Sequence, residues 1–102
     1  MKLYKYLKRR GEDVLSKQVL RSGTSVGANI AESQYAQSCD DFISKMSIAL
    51  KESAETRYWL GLLGDAGYLP KNESTLSLLN DNDELIRLLT ASVKTAKSHR
   101  TK

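Results

Sequence analysis

The chain has 102 residues, 40% hydrophobic and 27% charged, with one proline and one cysteine; that is the composition of a soluble globular protein and excludes a disordered, collagen-like or disulfide-scaffolded chain. One domain of this length buries only about two-thirds of its unfolded surface, so its own core leaves a modest margin that assembly would widen. The formal net charge of +4 is unevenly spread: residues 1–21 hold seven basic and two acidic groups, residues 22–93 five basic and ten acidic, and residues 94–102 four basic.

The first element predicted in chain order is a short helix over residues 2–9, with Leu3, Tyr4 and Leu7 on one side, lysines on the other, and Gly11 as its break. Eight residues make a marginal helix unless tertiary packing holds it. A second helix is expected over 12–35, where Leu15, Val19, Ser22, Val26, Asn29 or Ile30, and Ser33 follow a helical seam. Along it Gly23, Gly27 and Ala31 form a bare stripe, where a neighbouring helix is expected to lie very close. Glycine inside a helix costs about 1 kcal/mol relative to alanine, and close backbone packing would offset that. Ser22, Ser25, Asn29 and Glu32 lie nearby and need partners if that contact is buried, because an unmatched buried polar group costs roughly 1–3 kcal/mol.

Ser38 opens a third helix over 39–65, with Asp41 three residues on and Asp40 beside the positive helix end. Phe42, Ile43, Met46, Ala49, Leu50, Ser53, Arg57, Leu60 and Leu63 or Gly64 trace one seam, while Ile48, Trp59 and Leu62 trace a second. Two apolar faces predict packing inside the bundle plus contact with another subunit. Gly67 supplies the stop, and Pro70 separates this helix from a last one over 71–97. That helix carries Leu76, Leu79, Ile86 and Val93, with a kink allowed at the poor helix formers Asn80-Asp81-Asn82-Asp83. No stretch alternates as a strand, and short connections favour an all-α, antiparallel up-and-down four-helix bundle.

Chemistry is sparse in this pattern. Glu52 and Glu55 have the i, i+3 spacing of a bundle metal site and Glu32 can face them, but no histidine accompanies them and His99 sits near the C-terminus. The expected role of these carboxylates is to bond serine, asparagine or arginine across helices, or simply to face water. Cys39 beside Asp40 and Asp41 is a bystander, since adjacent negative charge raises a thiol pKa. There is no nucleophile elbow and no phosphate loop. The expectation is therefore no catalytic residue, no metal, no cofactor and no small-molecule substrate. The longest uncharged run, Ser22 to Ala31, is too short and polar to cross a bilayer, and no apolar leader is visible; a cytoplasmic protein is expected.

The basic residues lie at the two chain ends, Lys2, Lys5, Lys8, Arg9 and Arg10 opening it and Lys94, Lys97, Arg100 and Lys102 closing it. Antiparallel helices can bring the two groups together into a patch that binds phosphates without reading bases, with an affinity that falls steeply with salt. Lys17 and Arg21 extend the candidate set. The competing reading is that cations at a helical C-terminus suit the helix dipole and keep the protein soluble.

Leu20 to Glu32 (LRSGTSVGANIAE), Asp41 to Met46 (DFISKM), Ile48 to Glu52 (IALKE) and Glu55 to Leu60 (ETRYWL) resemble the four-helix-bundle family of large-subunit rRNA intervening-sequence proteins, over residues 3 to about 97. The accessory protein of diversity-generating retroelements is related to that family. The resemblance implies an antiparallel bundle assembled as a five-membered ring, and in the retroelement relatives a basic surface that binds nucleic acid and a partner reverse transcriptase. It also implies packing and hydrogen-bonding roles for Arg21, Ser22, Ser25, Asn29, Glu32, Glu52 and Glu55. The family's first helix normally begins several residues earlier than the two turns before Arg9. The combined expectation is a ring-shaped homo-oligomer, most simply a homopentamer, with a shortened first helix. Its function would be that of a non-catalytic scaffold presenting basic surface to RNA or DNA. The alternative is a purely structural or protein-interaction oligomer.

Overall fold

Four helices run alternately down and up one long axis in the computed structural model, which describes residues 2–100: α1 (Lys2–Arg9), α2 (Val14–Ser33), α3 (Cys39–Asp65) and α4 (Glu73–Arg100). No strand occurs among the described residues. The extents of 51 × 20 × 17 Å and a radius of gyration of 15.3 Å describe a rod, where a compact chain of this length would have about 13 Å.

The helix ends follow local chemistry. Gly11 and Gly67 both take φ of +81°, the left-handed conformation that closes a helix. Each closure is completed by two backbone bonds: Gly11 N to Lys8 O and Glu12 N to Leu7 O for α1, Gly67 N to Gly64 O and Tyr68 N to Leu63 O for α3. Ser38 Oγ accepts from Asp41 N at 3.0 Å to start α3, and Asn72 Oδ1 accepts from Thr75 N at 2.9 Å to start α4. The start of α2 differs from expectation. Glu12 lies outside the helix and its carboxylate accepts from Leu15 N and Ser16 N at 2.9 and 2.6 Å, while Asp13 makes no capping bond and pairs instead with Lys8.

The weak stretch in α4 does not break the helix. Asn82 Nδ2 donates to the Ser53 carbonyl at 3.2 Å and Asp83 pairs with Arg57, so two tertiary bonds to α3 override the low local propensity. The last helix therefore runs to Arg100.

The core is divided. Near the α2–α3 turn, Ile43, Met46, Ala49, Leu89 and Val93 form one cluster with Ile30, Phe42, Leu50, Leu85 and Ala96 around it. Near the α3–α4 turn, Leu7, Val19, Leu60 and Leu63 form another, flanked by Leu3, Tyr6, Leu15, Trp59, Tyr68, Leu69, Leu78 and Leu79. A polar waist separates them, where Ser22 Oγ meets Thr56 Oγ1 at 2.7 Å and Thr56 Oγ1 donates to Glu52 O at 2.9 Å. At 1.5 Å per residue α1 is about 12 Å long and α4 about 42 Å. The rod is consequently four-helical at one end and three-helical at the other.

Past Gly23, which is half-buried and lines a cleft with Leu3, Val19, Thr56 and Leu60, the bare stripe does not mark a close helix contact within the chain. A Cβ at Gly27 would have no other atom within 4 Å, and Gly27 and Ala31 are exposed. The face buried against α3 is Val19, Ser22, Val26 and Ser33. Residues four apart advance 400°, so a stripe at positions 23, 27 and 31 winds 40° further round at each step and leaves the buried side. Ser22 and Ser33 provide the small buried surface at the α2–α3 seam, with Gly23 at its edge.

Candidate nucleic-acid interface

The cations at the α1 end fall into two groups. Lys2, Lys5 and Arg9 follow i, i+3, i+7 spacing and share one side of α1, opposite Leu3 and Leu7. All three are exposed, as is Lys17 on α2, and among the described residues none of the four forms a salt bridge, although Lys17 adds to the pull of Lys8 that lowers the Asp13 pKa. Lys8 and Arg10 are engaged instead. The hydrogen bond between Lys8 and Asp13 raises the lysine pKa and lowers that of the carboxyl. Arg10 lies over the rings of Tyr6 and Tyr68, 5.9 and 5.6 Å from their centroids. It donates to Tyr6 Oη at 3.0 Å and to Gly67 O at 3.4 Å, tying the α1–α2 turn to the α3–α4 turn.

Arg21 is also engaged. Its Nη1 reaches Glu52 Oε2 at 3.2 Å and its Nη2 reaches Glu55 Oε2 at 2.8 Å, while Nε donates to Gln18 Oε1 at 3.2 Å. The bond to Glu55, ahead of the pull of Glu52, raises the guanidinium pKa. Glu32 pairs with Lys45 at 2.9 Å, raising that lysine's pKa through their hydrogen bond. Asn29 Nδ2 turns back within α2 to Ser25 O and Oγ, at 2.9 and 3.2 Å. Glu32 thus lies apart from Glu52 and Glu55, and among the described residues no three of His, Cys, Asp and Glu converge on a metal-sized site.

Lys94, Lys97 and Arg100 project from the last turns of α4 and are exposed. This end packs beside the start of α3: Arg100 Nη1 meets Asp40 Oδ1 at 3.0 Å, and Cys39 Sγ lies 3.6 Å from Ala96 O. Leu3 packs in the cluster that contains Leu78, and the 19 residues from Leu78 to Lys97 span about 28 Å of helix. The two basic groups are therefore not pooled, contrary to expectation. Four equal antiparallel helices would place both termini at one end, but α1 covers only the half remote from the end of α4. Lys102 lies outside the described residues.

Of the three positions assigned to a subunit contact, Ile48 is exposed and Leu62 half-buried, whereas Trp59 packs against the chain's own core. Trp59 sits at the margin of the buried face, and its indole is long enough to reach inward, edge-on to Tyr58 at 5.1 Å. The large apolar groups left most open on α3 and α4 are Tyr58 (60% exposed), Leu76 (58%) and Leu88 (57%). An open groove of about 670 Å³ runs beside Leu76, floored by Leu60, Gly61, Gly64, Leu69 and Leu79. Periodicity alone did not single out this surface, because the leucines of α4 cover more than one face. No helix of the described residues is long and apolar enough to cross a membrane.

Residues 1–91 match the family model described as 23S rRNA-intervening sequence protein. Among solved structures, the chain is similar to a protein of unknown function from the S23 ribosomal protein family of Bacteroides thetaiotaomicron. The two are 51% identical with a TM-score of 0.86, over 91% of this chain and 86% of that one. No curated protein matches the chain.

Proposed function

Starting from the fact that the chain belongs to the 23S rRNA-intervening sequence protein family, we propose that it is a non-catalytic oligomeric scaffold whose basic surface binds RNA or DNA, together with a protein partner such as a reverse transcriptase. The observation that carries this reading is the set Lys2, Lys5, Arg9 and Lys17, all exposed and without a salt bridge among the described residues; Lys94 and Lys97 are exposed at the far end of the rod. Cations left unneutralised on a folded surface attract a polyanion by releasing its counterions. The assembly is a homopentameric ring working in the cytoplasm. Support for self-association comes from the rod shape, which leaves more surface per residue than a sphere, and from the exposed Tyr58, Leu76 and Leu88.

Fluorescence anisotropy with a labelled RNA between 50 and 200 mM salt tests the nucleic-acid reading. Log affinity should fall linearly with log salt, and an absent or salt-independent affinity would overturn it. Light scattering at micromolar concentration tests the assembly, with a monomer mass against it. The groove beside Leu76 favours one second reading, a structural or protein-interaction oligomer whose charge serves solubility. Under that reading the assembly mass persists and no RNA is bound.

A further inference from the structure

The waist at which Ser22 meets Thr56 and Asn82 meets Ser53 divides the charge as well as the core. On the α1 side, residues 2–21 and 56–80 hold nine basic and four acidic groups, a net +5. On the other side, residues 22–55 and 81–100 hold six basic and eight acidic groups, a net −2. The lysines at the end of α4 thus project from an acidic half, near Asp40 and Asp41 at the start of α3, and their neighbour Arg100 is already paired with Asp40. A phosphate brought there meets carboxylates at short range. At the α1 end it meets Lys2, Lys5 and Arg9 on one side of one helix, with the adjacent Asp13 neutralised by Lys8; Glu73 and Asp81 share a cleft with Lys2 alone of the three.

We propose that nucleic-acid phosphates engage the α1 end alone, on the Lys2–Lys5–Arg9 side of α1 and at Lys17 in the first turns of α2 at the same end, and that Lys94 and Lys97 take no part. This rests on the nucleic-acid reading above and names its surface. The dimensions fit. Lys2 and Arg9 are seven residues, about 10 Å, apart along the helix, and a strand rising 3.4 Å per nucleotide offers about three phosphates over that length. Nothing in the arrangement reads bases, so the contact is to backbone phosphate.

The test uses the full chain, with a labelled 20-nucleotide oligouridylate RNA and a labelled 20-base-pair DNA duplex as probes. Four phosphate contacts give a duplex salt slope of about −3.6, or about a hundredfold loss of affinity between 50 and 200 mM salt. Lys2→Gln/Lys5→Gln/Arg9→Gln removes exposed cations that hold nothing in the fold, and glutamine keeps helix propensity. Its slope should shrink to about −0.9 with affinity at 50 mM at least tenfold lower, while circular dichroism and assembly mass are unchanged. The single variant Lys5→Gln should lower the slope by about 1, which keeps the test decisive if the triple variant unfolds. Lys94→Glu/Lys97→Glu should stay within about twofold of the parent, since distant charges are screened beyond about 10 Å. The RNA and DNA arms name the polymer, the tighter probe being the ligand class. Equal or greater loss in the Lys94/Lys97 variant would overturn the placement and leave the nucleic-acid reading standing. No binding of either probe by the parent chain would overturn that reading itself.

Discussion

Replacing Gly27 by alanine separates two accounts of the small, polar face of α2. Gly27 lies thirteen residues after Val14 and six before Ser33, inside α2, and a Cβ placed on it meets no atom beyond its own stretch of helix within 4 Å. The only consequence inside one chain is then the gain in helix propensity, about 1 kcal/mol in favour of alanine. Unfolding entropy of about 2.1 cal/mol/K per residue, over 102 residues, is about 0.21 kcal/mol/K, so Tm should rise by about 5 °C. Thermal melts followed by circular dichroism at several protein concentrations, with light scattering on the same samples, make the measurement. A Tm that falls, together with a smaller assembly, would refute this reasoning. The added methyl would then be meeting a backbone that belongs to another copy.

Leu7 is the fully buried anchor of α1, and Leu7→Ala should cost about 2–5 kcal/mol. Amide exchange should show α1 losing protection before α3, and simultaneous loss throughout would contradict a separate cluster near the α3–α4 turn. Ser53 Oγ is buried without a hydrogen-bond partner, so Ser53→Ala should raise stability to urea by about 1 kcal/mol; a loss would mean that the hydroxyl is satisfied in solution. The Lys8 hydrogen bond holds the Asp13 carboxyl below its ordinary value, and the pair is solvent-exposed. Its small stabilisation is present above the ordinary aspartate pKa and fades as pH falls through the depressed one. Low-salt urea melts of Asp13→Asn should therefore fall off less toward acid than those of the parent, and parallel curves would exclude the pair.

Much of the fold was legible in residue spacing. Gly11, Ser38, Gly67 and Pro70 punctuate four helical stretches, and caps and left-handed glycines act through bonds to residues within five positions, which a sequence displays directly. The seam of α3 was legible but for one position: Ile43, Met46, Ala49, Ser53, Leu60 and Leu63 are buried at their helical spacing, while Thr56 takes the buried place expected of Arg57, which is exposed. The site was less so. Arg21 reads as one more free cation until Glu52 and Glu55, more than thirty residues away, are brought to it. Trp59 reads as an outward residue until its indole finds the core, and Asn80 to Asp83 read as a kink until α3 grips two of them.

Which segments are helical, where they stop and which face of each is apolar follow from residue order, since these depend on interactions within one or two turns. Tertiary packing was needed to show that the two basic ends stay apart, that Gly27 and Ala31 face away from α3, and which cations remain free. Those outcomes depend on how far α1 reaches along its neighbours and on the rotation of each helix about its axis. Contacts between residues distant in the chain set both quantities.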